Sequence, residues 1–197
     1  IFVTSQGNIE SVLGKLDETD GNDFTKITGR FGNRPTLTSA NVAEVIQKRL
    51  LAKKPSAQPA LEALYESEKE NLRTLFTFSD GSRDYPRFQT AVDFSNYAPF
   101  HLYQFELFQE SIEQLSKHDA FTGKHTAVGE RSMLSVFQQV AKQIADLPIN
   151  TFATFDLMFE GLTNVLRGDF QRSVKTADNN LKADHPLAVR ILKSLFL

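Results

Sequence analysis

The chain has 197 residues, 41% of them hydrophobic, which is enough to bury a core as one domain or two small ones. Its 22 Lys and Arg against 24 Asp and Glu give a formal charge of −2, so no long-range field draws it toward nucleic acid or an anionic membrane, and any such contact must come from a local basic patch. The lack of Cys excludes disulfides and thiolate metal sites and fits a reducing compartment, with the cytoplasm as the expectation; no apolar run approaches the roughly 20 residues that span a bilayer.

Residues 1–5, IFVTS, read as a short buried strand, and Thr4, Ser5 and Gln6 stand at its carboxyl end, where α/β sheets place ligands. A short helix with Ile9, Val12, Leu13 and Leu16 follows, then the loop DETDGND and the basic, glycine-bearing stretch FTKITGRFGNRPTL. TSANVAEVIQKRLLAKK predicts a helix capped by Ser39, with Val42, Val45, Ile46, Arg49 and Leu50 on helical spacing and basic residues in its last turn. Residues 56–78 predict another, striped by Leu61, Leu64, Tyr65, Leu72 and Leu75, and SDGSRDYP breaks it. Residues 101–117 carry the stripe Phe105, Phe108, Ile112 and Leu115, and residues 127–147 the stripe Met133, Phe137, Val140, Ala141 and Ile144; these two helices are expected to pack together. Three more helices are expected near 154–166, 168–182 and 186–197. The predicted fold is therefore mainly α, a bundle of about seven or eight helices following one short N-terminal strand. A start at Ile and an end inside the apolar pattern ILKSLFL are what a piece cut from a longer protein would show.

The stretch FTGKHTAVGERSML at 121–134 invites comparison with a phosphate-binding loop, G-x-x-x-x-G-K-[ST]. The spacing rejects it: with Gly123 and Lys124 as the core, the first glycine falls on His118 and the hydroxyl on His125, and a helix rather than a strand precedes it. What remains is a helix start with Thr126 as cap, followed by Gly129, Glu130 and Arg131. At 100° per residue Arg131 stands about 120° from Phe137, on the flank of the stripe. An arginine so placed is either simply solvated or aimed at a phosphate bound by another domain. In GRFGNRP, Arg30 and Arg34 lie in a Gly-rich loop before a helix, as surface charges or as an arginine finger that reaches a phosphoryl group across a subunit boundary. His101, His118, His125 and His185 have no metal-ligand spacing, and Ser56, Ser132 and Ser135 lie outside any G-x-S-x-G context. The 17 Phe residues sit mostly on helical stripes, which points to core rather than to a base-stacking platform.

Taken in order, VTSQ at the strand end, ITGRF, LTSANVAEVIQKRLLAKK, YQFELFQ and above all HDAFTGKHTAVGERSMLSVFQ resemble the back half of an AAA+-like ATPase, specifically the BrxC-type P-loop proteins of BREX bacteriophage-defence systems. The resemblance runs through nearly the whole chain and is most specific at 118–138. It implies a helical lid-type bundle, with residues 1–38 as the end of a nucleotide-binding core, 39–150 as the lid region and 151–197 as a helical extension leading to a further domain. It also implies nucleotide-sensing roles for Thr4 or Ser5 and for Arg131, and a finger role for Arg30, with Arg34 as runner-up because GRF stands where the family has S-R-F. ATP and Mg would belong to the longer protein, whose Walker A and Walker B segments this stretch does not contain; no cofactor and no catalysis are expected of the fragment alone. Self-association in the longer protein, other phage-defence proteins and DNA are the implied partners, with no membrane. The competing expectation, from a different class, is a helical protein-interaction or DNA-contacting module without any nucleotide role.

Overall fold

The computed structural model describes residues 40–77, 83–122 and 128–197, and for residues 40, 41 and 128–131 the backbone alone. The predicted strand over 1–5, the helix after it and the cap Ser39 lie outside the described residues. Among these the architecture is mainly helical: α1 (Ala40–Val45), which runs into a π-turn (Ile46–Leu50), α2 (Gln58–Leu75), α3 (Ala91–Tyr97), α4 (Leu102–Lys117), α5 (Val128–Gln143), α6 (Asp156–Leu162), α7 (Gly168–Leu181) and α8 (Pro186–Phe196). The one β feature among them is an isolated antiparallel bridge between Phe121 and Leu166. No helix there is long and apolar enough to cross a membrane.

The expected pairing of the two aromatic helices is present. Phe137 of α5 is fully buried and its ring stacks on Phe105 of α4 at 4.5 Å, meets Phe108 edge-on at 5.9 Å and tilts against Phe100 at 4.7 Å. Met133, Val136 and Val140 complete the buried face of α5. That face closes tightly on α6, because a Cβ at Gly161 would lie 2.8 Å from Cγ1 of Val136; glycine is what lets the two helices approach so near. This larger core takes residues from both sides of position 150, from Ile46 to Val174.

α8 is fastened onto this body by two cations and a ring. Arg190 grips the Asp156 carboxylate with Nε at 3.0 Å and Nη2 at 3.2 Å and also reaches Thr154 Oγ1 at 3.1 Å. Lys193 donates to Glu160 Oε1 on α6 at 2.5 Å and to Asp178 Oδ1 on α7 at 3.4 Å. Phe196 sits edge-on between Phe159 and Phe170.

A second, smaller core gathers Leu61 and Tyr65 of α2 with Phe94 and Ala98 of α3 and its C-terminal end. α3 escapes detection by periodicity because seven residues make only two turns. Its local signal is a capping box, in which Thr90 Oγ1 accepts from the Asp93 N–H at 3.0 Å and Asp93 Oδ2 accepts from the Thr90 N–H at 3.1 Å. At about 1.5 Å per residue α3 is too short to cover all 18 residues of α2, so Leu75, expected on the apolar stripe, is 73% exposed. Val45 is also exposed, although its spacing placed it inward. Val42, Ala43 and Ile46 set the buried side of that helix away from it, Ile46 being buried as its spacing predicts, and the π-turn that follows, with the Leu51 N–H donating to the Ile46 carbonyl at 3.0 Å, brings Leu51 into the core as well.

Truncating Phe137 to Ala removes the ring that α4, α5 and Phe100 share and is expected to cost about 3 to 5 kcal/mol of stability in denaturant unfolding. A loss under about 1 kcal/mol would mean that this junction does not hold the larger core.

Candidate functional site

Of the residues singled out in the sequence, Thr4, Ser5, Arg30 and Arg34 lie outside the described residues, so no constellation of them is on view. Position 131 is the fourth residue of α5. At 100° per residue it stands about 140° to 240° from the buried positions Met133, Val136, Phe137 and Val140. Its backbone position is thus opposite the buried face rather than on its flank, because Val136 joins that face and turns its centre away from 131.

The described residues do form a groove. It runs between the C-terminal half of α2, the extended stretch around residues 86–89 and the start of α4, and holds about 470 Å³. Its aromatic wall is built from Tyr65, Phe76, Phe88, His101 and Tyr103. His101, the residue just before α4, is its centre. The imidazole lies 3.8 Å from the Phe76 ring and 4.5 Å from that of Phe152, with Phe88 and Tyr103 each at 5.8 Å. The arrangement follows from local chemistry: Gln104 Oε1 accepts the His101 backbone N–H at 2.8 Å, which starts the helix and leaves the side chain to pack among rings.

His101 is 4% exposed, and its Nε2 has no hydrogen-bond partner among the described residues. A buried polar atom left unpaired costs about 1 to 3 kcal/mol, so it stands out in a core otherwise satisfied. Burial lowers the imidazole pKa from 6.5 to about 4, which leaves it neutral at physiological pH and a weak base there. Burial likewise raises the Tyr103 hydroxyl above its ordinary value. The site therefore offers packing and hydrogen bonding more than proton transfer.

Three cations edge the groove, Lys69, Arg73 and Arg87. Each is paired with a nearby carboxylate: Lys69 with Glu66 at 2.8 Å, Arg73 with Glu70 at 3.4 Å and Arg87 with Asp84 at 3.3 Å. These pairs are largely open to water, where such contacts contribute little, and a stronger anion can replace them. No cluster of three or more His, Cys, Asp or Glu among the described residues could hold a metal ion. The groove was not legible by spacing, since its parts come from three separated segments and His101 read only as a histidine without metal partners.

The depressed pKa makes a prediction about acid stability. Between pH 6.5 and about 4 the unfolded chain binds a proton at His101 that the folded chain refuses, so stability falls as pH drops through that window. The loss is on the order of 3 kcal/mol. In His101→Phe this loss should be absent while the titration of carboxylates is retained, so the two proteins' unfolding free energies should diverge between pH 4 and 7. Parallel profiles would show that the imidazole is not held neutral.

No protein-family model matches this chain, and no solved structure matches it.

Proposed function

We propose that the chain is part of a P-loop ATPase of a BREX-type bacteriophage-defence system, contributing lid and sensor elements to an oligomeric, AAA+-like enzyme of the bacterial cytoplasm. The observation that carries this reading is the stretch HDAFTGKHTAVGERSMLSVFQ at 118–138, preceded in order by VTSQ, ITGRF and LTSANVAEVIQKRLLAKK. The mainly helical body supports it, as does the register of α5, which keeps position 131 off the face that makes the core. ATP and Mg are bound by other segments of the longer protein, and other defence proteins or DNA are the partners on which its turnover acts.

The roles divide by chemistry. A guanidinium at 131 meets phosphate oxygens with paired hydrogen bonds and reports whether nucleotide is present. Arg30 acts from a neighbouring subunit on the charge that develops on the transferred phosphoryl group, with Arg34 the other arginine of that loop. Thr4 or Ser5 supplies the other nucleotide-sensing side chain in this reading.

In the longer protein Arg131→Ala is expected to lower ATP turnover with the unfolding midpoint unchanged. Arg30→Ala should lower turnover on the order of 10³-fold while ATP still binds, and mixing it with a Walker A lysine variant should restore part of the activity, because an intact site then faces an intact finger. Turnover unaffected by Arg131, Arg30 and Arg34 substitutions alike would remove the reading.

A second reading, a helical protein-interaction module without nucleotide chemistry, has one observation in its favour. Leu187, Ile191 and Leu195 recur every four residues along α8 and are 63%, 50% and 80% exposed. Under that reading all the arginine substitutions leave turnover as it was.

A further inference from the structure

We propose that the outer face of α8 docks a second copy of this chain, whose own α8 lies antiparallel across a two-fold axis at Ile191. The inference rests on the interaction reading of the preceding section only in taking this face as a contact surface, and it names the partner.

α8 is built inside out. A helix lying on a protein surface ordinarily turns its apolar stripe to the body and its charges to water. Here the only charged residues of Pro186–Phe196, Arg190 and Lys193, turn to the body, where they meet Asp156, Glu160 and Asp178. Val189, which is buried, and Phe196 share that side. At 100° per residue Ile191 stands about 160° from Val189, and Leu187 and Leu195 stand about 40° to either side of Ile191. The side that meets water is thus a stripe of three exposed aliphatic residues with no charge among them. A helix that is apolar on both sides belongs between two layers, and the body supplies one.

Three features select a second copy as the other layer. The first is symmetry. Leu187 and Leu195 lie four residues before and after Ile191, so an α8 reversed about Ile191 sets its Leu195 on Leu187 and its Ile191 on Ile191, the isologous contact of a two-fold dimer. The second is neutrality. A face that meets its own copy meets its own charge, and this one has none, while a net charge of −2 gives little repulsion between whole chains. The third is where the cations go. A helix lying on lipid turns Lys and Arg to the headgroups, whereas those of α8 are held by carboxylates of the body. The antiparallel arrangement also opposes the two helix dipoles, which a parallel one sets like end to like end. Three aliphatic residues per copy make a contact at the small end of specific interfaces, so the dimer is weak and depends on concentration.

The chain has no Cys, so one introduced thiol reports one position. On oxidation Ile191→Cys should link to itself across the axis, whereas Leu187→Cys and Leu195→Cys should each stay monomeric alone and link when mixed. In sedimentation equilibrium the 197-residue chain should dimerise with a dissociation constant of about 10 µM to 1 mM. Ile191→Glu, which sets two carboxylates face to face on the axis, should weaken this by at least about tenfold and leave the unfolding midpoint of the monomer in place. Leu75→Glu, which removes an exposed leucine at the end of α2, should leave dimerisation unchanged. The proposal is overturned if the chain stays monomeric at about 1 mM. It is overturned if Leu187→Cys links to itself and not to Leu195→Cys, or if Leu75→Glu disrupts as much as Ile191→Glu. It is overturned too if the chain remains monomeric and binds phosphatidylcholine–phosphatidylglycerol vesicles through this face, since the occupant is then lipid. These outcomes bear on the pairing alone, whereas the interaction reading stands or falls on the arginine substitutions.

Discussion

The buried amide of Gln104 is the point on which the two cores depend. Its Oε1 accepts the backbone N–H of His101, and its Nε2 donates to the carbonyl of Ala153 at 2.8 Å. The Ala153 N–H in turn donates to the Pro99 carbonyl at 2.9 Å. Through these bonds the turn after α3, the start of α4 and the segment before α6 are held in one place. Phe94 and Phe152 belong to the smaller core on one side of this junction, and Phe100, Phe105 and Ala153 to the larger core on the other. A side chain with 0% exposure has no water to fall back on, so the network must be complete to be tolerated.

His101 is the consequence of that arrangement. Its main chain is committed to Gln104, and its ring packs among Phe76, Phe88, Tyr103 and Phe152 with Nε2 unpaired. A phenylalanine at this position would keep the ring packing and remove the unpaired Nε2. The groove lies on the side of the smaller core, between the end of α2 and the start of α4.

α5 is held along one face. One face of this helix is committed to Phe105, Phe108 and the Gly161 approach, which fixes its axis closely. By register, position 131 falls on the opposite side of that helix. On the proposed reading, an arginine at 131 can be changed for chemistry without being changed for packing.

The amino-acid sequence by itself determined the helical class and the long amphipathic helices, because period-3.6 stripes such as Phe105, Phe108 and Ile112, or Met133, Phe137 and Val140, report a buried face whatever covers it. The proposed reading of 118–138 likewise rests on local wording alone. Only the tertiary structure decided which apolar positions find a partner. Leu75 and Val45 lie on helical stripes and remain exposed, one because α3 is too short to reach it and the other because Val42, Ala43 and Ile46 set the buried side of its helix away from it. The groove was likewise decided there. Tyr65, Phe76, Phe88 and His101 lie far apart along the chain, each satisfactory as an ordinary core residue, and only the junction at Gln104 brings their rings together around one unpaired nitrogen. Periodicity records that a helix has an inside, while the identity of what it faces is a non-local property that contacts between distant segments alone can set.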